Sequence, residues 1–174
     1  EDYKNYPKSI EKDLKILKLH NIDCLFMPNK EDMILKTNHN IERKLPDFAN
    51  ILCGEFRKSH FQGVYSIVKK LFNIIKPQKA YFGKKDFQQL KIVEKFIEEK
   101  FPNLQLVTVS TERQEEGIAY SSRNENLSKK QLQEFINFHN SVIQFTKSFD
   151  RQTQIKEANT LAKNFITNLV DQEF

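Results

Sequence analysis

The chain has 174 residues, enough for one large domain or for a domain with a smaller companion, and either can bury a real core. Hydrophobic residues make up 39% and charged residues 29%, which argues against disorder, and the formal charge of +5 is mild. Lysines are interleaved with acids in stretches such as KIVEKFIEEK, the pattern of a solvated helix face rather than a nucleic-acid stripe. No apolar run approaches the roughly 18 residues that span a bilayer, and nothing resembles a signal peptide, so no membrane partner and a cytoplasmic location are expected.

In chain order, SIEKDLKILKLH predicts a helix with Ile10, Leu14 and Leu17 on one face, and DCLFMP predicts a short buried strand ending at a proline. An irregular polar stretch, LKTNHNIERKLPD, follows. VYSIVKKLFNIIK places Val64, Ile67, Val68, Leu71 and Ile75 at helical spacing, and Pro77 ends that helix. KAYFG is a strand, FQQLKIVEKFIEEK a helix with Leu90, Val93, Phe96 and Ile97 in register, and NLQLVTVS a strand rich in β-branched residues. This alternation is that of an α/β unit with a parallel sheet. After about Thr111 the rhythm gives way to a polar segment and two long helical patterns, the first opened by a capping box of Ser128 and Gln131. A boundary is therefore expected near 111, separating 1–111 from a smaller, more helical 112–174. Cys24 and Cys53 lie in apolar surroundings without CxxC spacing and read as buried free thiols. Both ends look cut: EDYKNYP opens without a methionine, and ANTLAKNFITNLVDQEF stops where a helix would hand over to another element.

Three segments carry possible chemistry, each with an ordinary structural alternative. YFGKKDFQQL leaves a strand for a helix, the place where ligands bind in parallel α/β sheets. Gly83 permits a tight turn or close approach, Lys84 and Lys85 add positive charge at a helix N-terminus, and Gln89 follows one turn on, so a phosphate site is conceivable. Asp86 and Gln89 equally have the spacing of a capping box, and loop lysines are usually solvated. GIAYSSRN offers hydroxyls and a guanidinium for phosphate oxygens, with Gly117 a hinge, or it is a polar linker. In EFRKSHFQGV, Arg57 and His60 precede a helix that Ser59 could cap, but a lone loop histidine is more often a surface residue. His20, His39 and His139 have no motif to lift them, no cluster has metal-ligand spacing, and neither G-x-S-x-G nor a Walker A loop is present.

Taken together and in order, HFQGV, FGKKDFQQL and EEGIAYSSRN resemble the pantothenate synthetases, the pantoate–β-alanine ligase family of the nucleotidyltransferase superfamily. The opening YPKSIEKDLKILKLHNIDCLFMPNKEDM is similar to that family as well. The resemblance implies a Rossmann-like parallel sheet flanked by helices, with a smaller helical C-terminal domain, and a cytoplasmic homodimer. It implies ATP-dependent condensation of pantoate with β-alanine through pantoyl-adenylate, releasing pyrophosphate and AMP, with Mg²⁺. By the same resemblance Gly83, Lys84, Lys85 and Asp86 line the ATP site, with the backbone of Glu112 on the adenine side. Tyr120, Ser121, Ser122 and Arg123 grip the triphosphate, with Lys85 and Arg123 the catalytic pair. Gln89 binds pantoate, Arg57 and His60 border the site, and Asp13 matches an acidic position associated with magnesium.

There are departures. The family's HxGH-type segment, its glutamine that contacts both pantoate and β-alanine, and its final C-terminal strand region have no counterpart in these residues. The 174 residues alone are therefore not expected to be a complete catalyst. Tyr120 stands where the family has a small or apolar residue, and Lys58 where it has proline. Two other readings remain: a different adenylate-forming or nucleotidyl-transferring member of the superfamily, and a basic helical module binding RNA or protein without chemistry.

Overall fold

The structure, a computed structural model, describes residues 9–33, 45–147, 149 and 155–171. The expectations for the first eight residues, for 34–44 with His39, and for the end beyond Asp171 lie outside the described residues. The chain divides into two compact units, Ile10–Thr111, and Glu112–Phe174 with Glu1–Ser9.

In the unit Ile10–Thr111, helices α1 (Ile10–Leu19), α2 (Lys30–Met33) and α3 (Cys53–Phe56) precede the long α4 (His60–Ile75). Strand β1 (Lys79–Gly83), helix α5 (Phe87–Lys100) and strand β2 (Gln105–Val109) then form a βαβ unit. The strands pair in parallel, with Lys79 opposite Gln105 and Gly83 opposite Val109. Helix α4 ends as the Pro77 signal requires: Lys76 turns left-handed at φ 49° and its N–H closes on the Phe72 carbonyl.

Helix periodicity and strand alternation meet in one core. Phe72 of α4, Ala80 of β1, Val93, Phe96 and Ile97 of α5 and Leu104 are buried together, with Val64, Tyr65, Val68, Phe82, Phe101 and Leu106 packed against them. Ala80 and Phe82 alternate with the exposed Tyr81, as the pleat dictates. A second cluster joins Ala49, Phe61 and Ile92, so α5 buries apolar residues in both. Ile75 and Ile67, expected on the buried face of α4, are exposed; Phe72 and Phe61 carry the core in their place.

Further expectations for this unit fail. Residues 22–29 form no strand, and Leu25, Phe26 and Met27 are exposed. A strand needs a neighbour for its N–H and C=O groups, and among the described residues none pairs with this segment. Both cysteines are free thiols as expected, but exposed rather than buried, because Cys24 lies in that unpaired segment and Cys53 begins the one-turn α3 at the surface.

In the unit containing Glu112–Phe174, a tight hairpin precedes helices α6 (Lys129–Thr146) and α7 (Ile155–Asp171). The Ser128–Gln131 capping box is present in both directions: the Gln131 N–H donates to Ser128 Oγ at 3.3 Å and the Ser128 N–H to Gln131 Oε1 at 3.0 Å. Phe145 of α6 stacks on Phe165 of α7 with centroids 4.3 Å apart. Among the described residues no helix is long and apolar enough to cross a membrane.

Candidate active site

The parallel register sets Gly83 beside Val109, so both strands leave the sheet at the same edge. From β1 the chain winds directly through a 3₁₀ turn, Lys84–Asp86, into α5. Lys84, Lys85 and Asp86 are exposed there, next to the N-terminal N–H groups of a 14-residue helix. Gly83 has an extended backbone (φ −75°, ψ 139°), so no tight turn requires it, and a Cβ there would meet nothing within 4 Å. Its missing side chain leaves open space over the strand exit.

Neither proposed cap forms. Asp86 at the N-cap of α5 makes no side-chain cap bond, and neither does Ser59 at the N-cap of α4. Side-chain capping works when the N-cap backbone is in the β region, as at Ser128 (φ −64°, ψ 161°). Ser59 is left-handed (φ 65°) and Asp86 has ψ 63°, so neither side chain is aimed at the N–H groups it would cap. The Asp86 carboxylate is thereby left to act on His60.

His60 opens α4, half-buried, with its ring 5.0 Å from that of Phe61. Burial lowers its pKa below the ordinary 6.5, the Arg57 guanidinium lowers it further, and the Asp86 carboxylate opposes both. The structure therefore brings Arg57, His60 and Asp86 within electrostatic reach at one end of the βαβ unit. Because the folded value lies below the unfolded one, the unfolded chain takes up the His60 proton first. This residue's contribution to stability is thus complete above about pH 6.5 and is lost as pH falls through the lowered folded value. An NMR titration of the His60 ring should show a midpoint below 6.5 that drops further in Asp86→Asn and rises in Arg57→Gln; the opposite order would show that these groups do not face the ring.

Gln89, expected to face the site, is half-buried on the first turn of α5. Its neighbour, which sequence reasoning passed over, is the engaged one. The Gln88 side-chain Nε2 donates to the carbonyls of Phe48 (2.8 Å) and Ile51 (2.7 Å), and its Oε1 accepts the Cys53 N–H (3.1 Å). The pair QQ signals an amide near the strand exit but does not say which amide meets the protein.

In the other unit, residues 112–120 form the hairpin. Arg113 bridges Ala119, the Tyr120 N–H donates to the Glu112 carbonyl at 3.2 Å, and the turn closes with the Gly117 N–H on the Gln114 carbonyl at 2.9 Å. Gly117 has φ 88°, a conformation that favours glycine, and a Cβ there would lie 3.2 Å from His139 Nε2. Arg113 Nη1 donates to the Gly117 carbonyl at 2.8 Å, and the hairpin is pinned by Ile118, only 1% exposed. Hydrogen bonds on both sides thus hold Gly117 in this turn. The hairpin delivers Tyr120, 60% exposed, and then Ser121, whose Oγ accepts the Arg123 N–H at 3.2 Å and caps the 3₁₀ turn Ser122–Asn126. Arg123 is exposed on that turn.

Asp13 is exposed on α1, and among the described residues no group of three or more His, Cys, Asp or Glu could hold a metal ion. The described side chains therefore do not make a cation cage.

Similarity to known proteins decides what this strand-exit geometry belongs to. The family model for pantoate-beta-alanine ligase matches residues 1–173. The chain belongs to the pantoate–β-alanine ligase family. It is 39% identical over 162 residues to the pantothenate synthetase of Aquifex aeolicus (strain VF5), covering 91% of this chain and 57% of that one. To the pantothenate synthetase of Acetivibrio thermocellus it is 35% identical over 175 residues, covering 99% and 59%. Among solved structures, pantothenate synthetase from Thermus thermophilus superposes with a TM-score of 0.82 at 30% identity, over 97% of this chain and 61% of that one. The pantoate-beta-alanine ligase of Francisella tularensis, complexed with beta-gamma ATP and beta-alanine, matches with a TM-score of 0.72 at 33% identity, over 93% and 60%. The chain spans about half the length of the curated ligase relatives it matches. These matches bear out the expected fold class, a parallel α/β sheet flanked by helices.

Proposed function

We propose that the full-length protein ligates (R)-pantoate and β-alanine into pantothenate with consumption of ATP. A pantoate carboxylate oxygen attacks the α-phosphorus and pyrophosphate leaves; the β-alanine nitrogen then attacks the acyl carbon of pantoyl-adenylate and AMP leaves. The observation that carries this reading is the ligase-family match over residues 1–173. The common edge at which Gly83 and Val109 end their strands supports it.

On this reading 1–111 belongs to a Rossmann-like nucleotide-binding domain and 112–174 to a smaller C-terminal domain. Gly83, Lys84, Lys85 and Asp86 line the ATP site, where the open space over Gly83 admits phosphate. The Glu112 backbone lies on the adenine side, Tyr120–Arg123 close on the triphosphate, Gln89 takes pantoate, and Arg57 and His60 border the site. Adenylation builds negative charge on the α-phosphate and then on the departing pyrophosphate, and preorganised cations and N–H donors stabilise that charge more than the ground state. Lys85 and Arg123 supply the cations. The second step needs a water-excluding site that holds the amine near the acyl carbon. A homodimer, a cytoplasmic setting and Mg²⁺ carried on the phosphate oxygens complete the reading.

The decisive assay follows AMP release by the full-length protein. AMP should appear only when pantoate, β-alanine and ATP are all present. Release that persists when another acid replaces pantoate would transfer the protein to a different acceptor within the superfamily. No release under any of these conditions would overturn the enzymatic reading.

A further inference from the structure

Gln88 has no role in the chemistry just described, yet its side chain makes three hydrogen bonds to backbone groups beside the candidate site. A primary carboxamide offers two donors and one acceptor oxygen. Here both donors and the oxygen are used, on Phe48, Ile51 and Cys53, across as many as 40 residues of sequence. The partners fix which end of the amide is nitrogen: two carbonyls require a donor and one N–H requires an acceptor. Glutamate could not donate, lysine could not accept, and asparagine is one methylene too short to keep the same reach.

What this amide holds is a segment with little regular structure of its own. A 3₁₀ turn, Asp47–Asn50, runs into the single-turn α3 through Leu52, whose φ of 51° and ψ of −123° lie in a region that non-glycine residues rarely adopt. Gly54 lies so close to the Ala49 carbonyl that a Cβ would come within 1.8 Å of its oxygen. Ala49 anchors the segment from below, buried against Phe61 and Ile92. Gln88 ties it from the side. From α3 the chain passes directly to Arg57 and His60, while Gln88 itself stands between Asp86 and Gln89 on the first turn of α5.

We propose that Gln88 is a positioning residue: its carboxamide clamps the 48–53 segment to the first turn of α5, and so sets Arg57 and His60 against Asp86 and Gln89. The inference rests on the ligase reading for its kinetic consequence, but the clamp itself is a property of the fold.

The test uses the full-length protein and Gln88→Met, which keeps the length of the side chain and removes all three hydrogen bonds, with Gln88→Glu as the second variant. In wild-type protein the Cys53 amide should exchange slowly with solvent deuterium. In Gln88→Met that protection should disappear, and the His60 midpoint should move up toward 6.5 as the segment loosens and burial is relaxed. If the protein is the ligase, KM for pantoate should rise about tenfold while KM for ATP stays within about twofold, a split that general loss of folded protein would not produce. Fast exchange at Cys53 in wild-type protein overturns the clamp even if neither variant folds. So does an active Gln88→Met enzyme with unchanged pantoate KM and unchanged His60 midpoint. A wild-type protein without ligase activity overturns the functional reading alone, because the exchange and titration readouts still decide the clamp.

Discussion

Phe72→Ala should cost about 3–5 kcal/mol of stability, the usual range for truncating a buried phenylalanine. Phe72 is 7% exposed, and its ring meets three others: Phe96 stacked at 6.2 Å, Phe101 edge-on at 5.4 Å and Phe82 edge-on at 6.5 Å. One side chain thus links α4, β1, α5 and the turn after α5. Its loss removes the transfer free energy of a benzyl group, leaves a cavity among rings that cannot all collapse into it, and deletes aromatic contacts worth about 0.5–1.5 kcal/mol each. Against a total of about 5–15 kcal/mol, that is enough to populate the unfolded state. Urea unfolding of the full-length protein should show a lower midpoint at an unchanged slope. Ile75→Ala is the control: on the same helix but 52% exposed, it should stay within about 0.5 kcal/mol of wild type. Equal effects at the two positions would mean that Phe72 is not the hub of this core.

On the proposed ligase function, Lys85→Ala and Arg123→Ala in the full-length protein should each lower kcat/KM by about 10²-fold, equivalent to roughly 2.7 kcal/mol of transition-state stabilisation, while leaving the unfolding midpoint nearly unchanged. Both side chains are exposed, so neither truncation opens the core. The double variant tests the sharper point. If both cations act on the same triphosphate, the loss in the double variant should fall short of the product of the single losses, because each cation's value depends on the other. Strict multiplicativity would place them on separate ligands, and unaltered turnover in both singles would remove them from the chemistry.

Much of this was legible in the sequence because it is local. KAYFG, FQQLKIVEKFIEEK and QLVTV became β1, α5 and β2 because strand alternation and helical period are written in neighbouring residues. The Ser128–Gln131 box formed because both partners lie within one turn. The motif residues were readable for the same reason: each group is contiguous, and its membership in a ligase family follows from short strings in a fixed order. The prediction of a strand at DCLFMP used the same local signal and failed, since apolar content alone does not provide a hydrogen-bonding neighbour.

By itself, then, the amino-acid order determined the types of element, most of their limits and the family. Only the tertiary structure decided that Phe72 and Phe61, rather than Ile75, fill the core, that Asp86 leaves its helix uncapped and acts on His60, and that Gln88 binds a segment 35 residues earlier in the chain. Each of these turns on a backbone angle at one residue or on the approach of chain far away in sequence. Neither quantity is encoded in the identity of adjacent side chains.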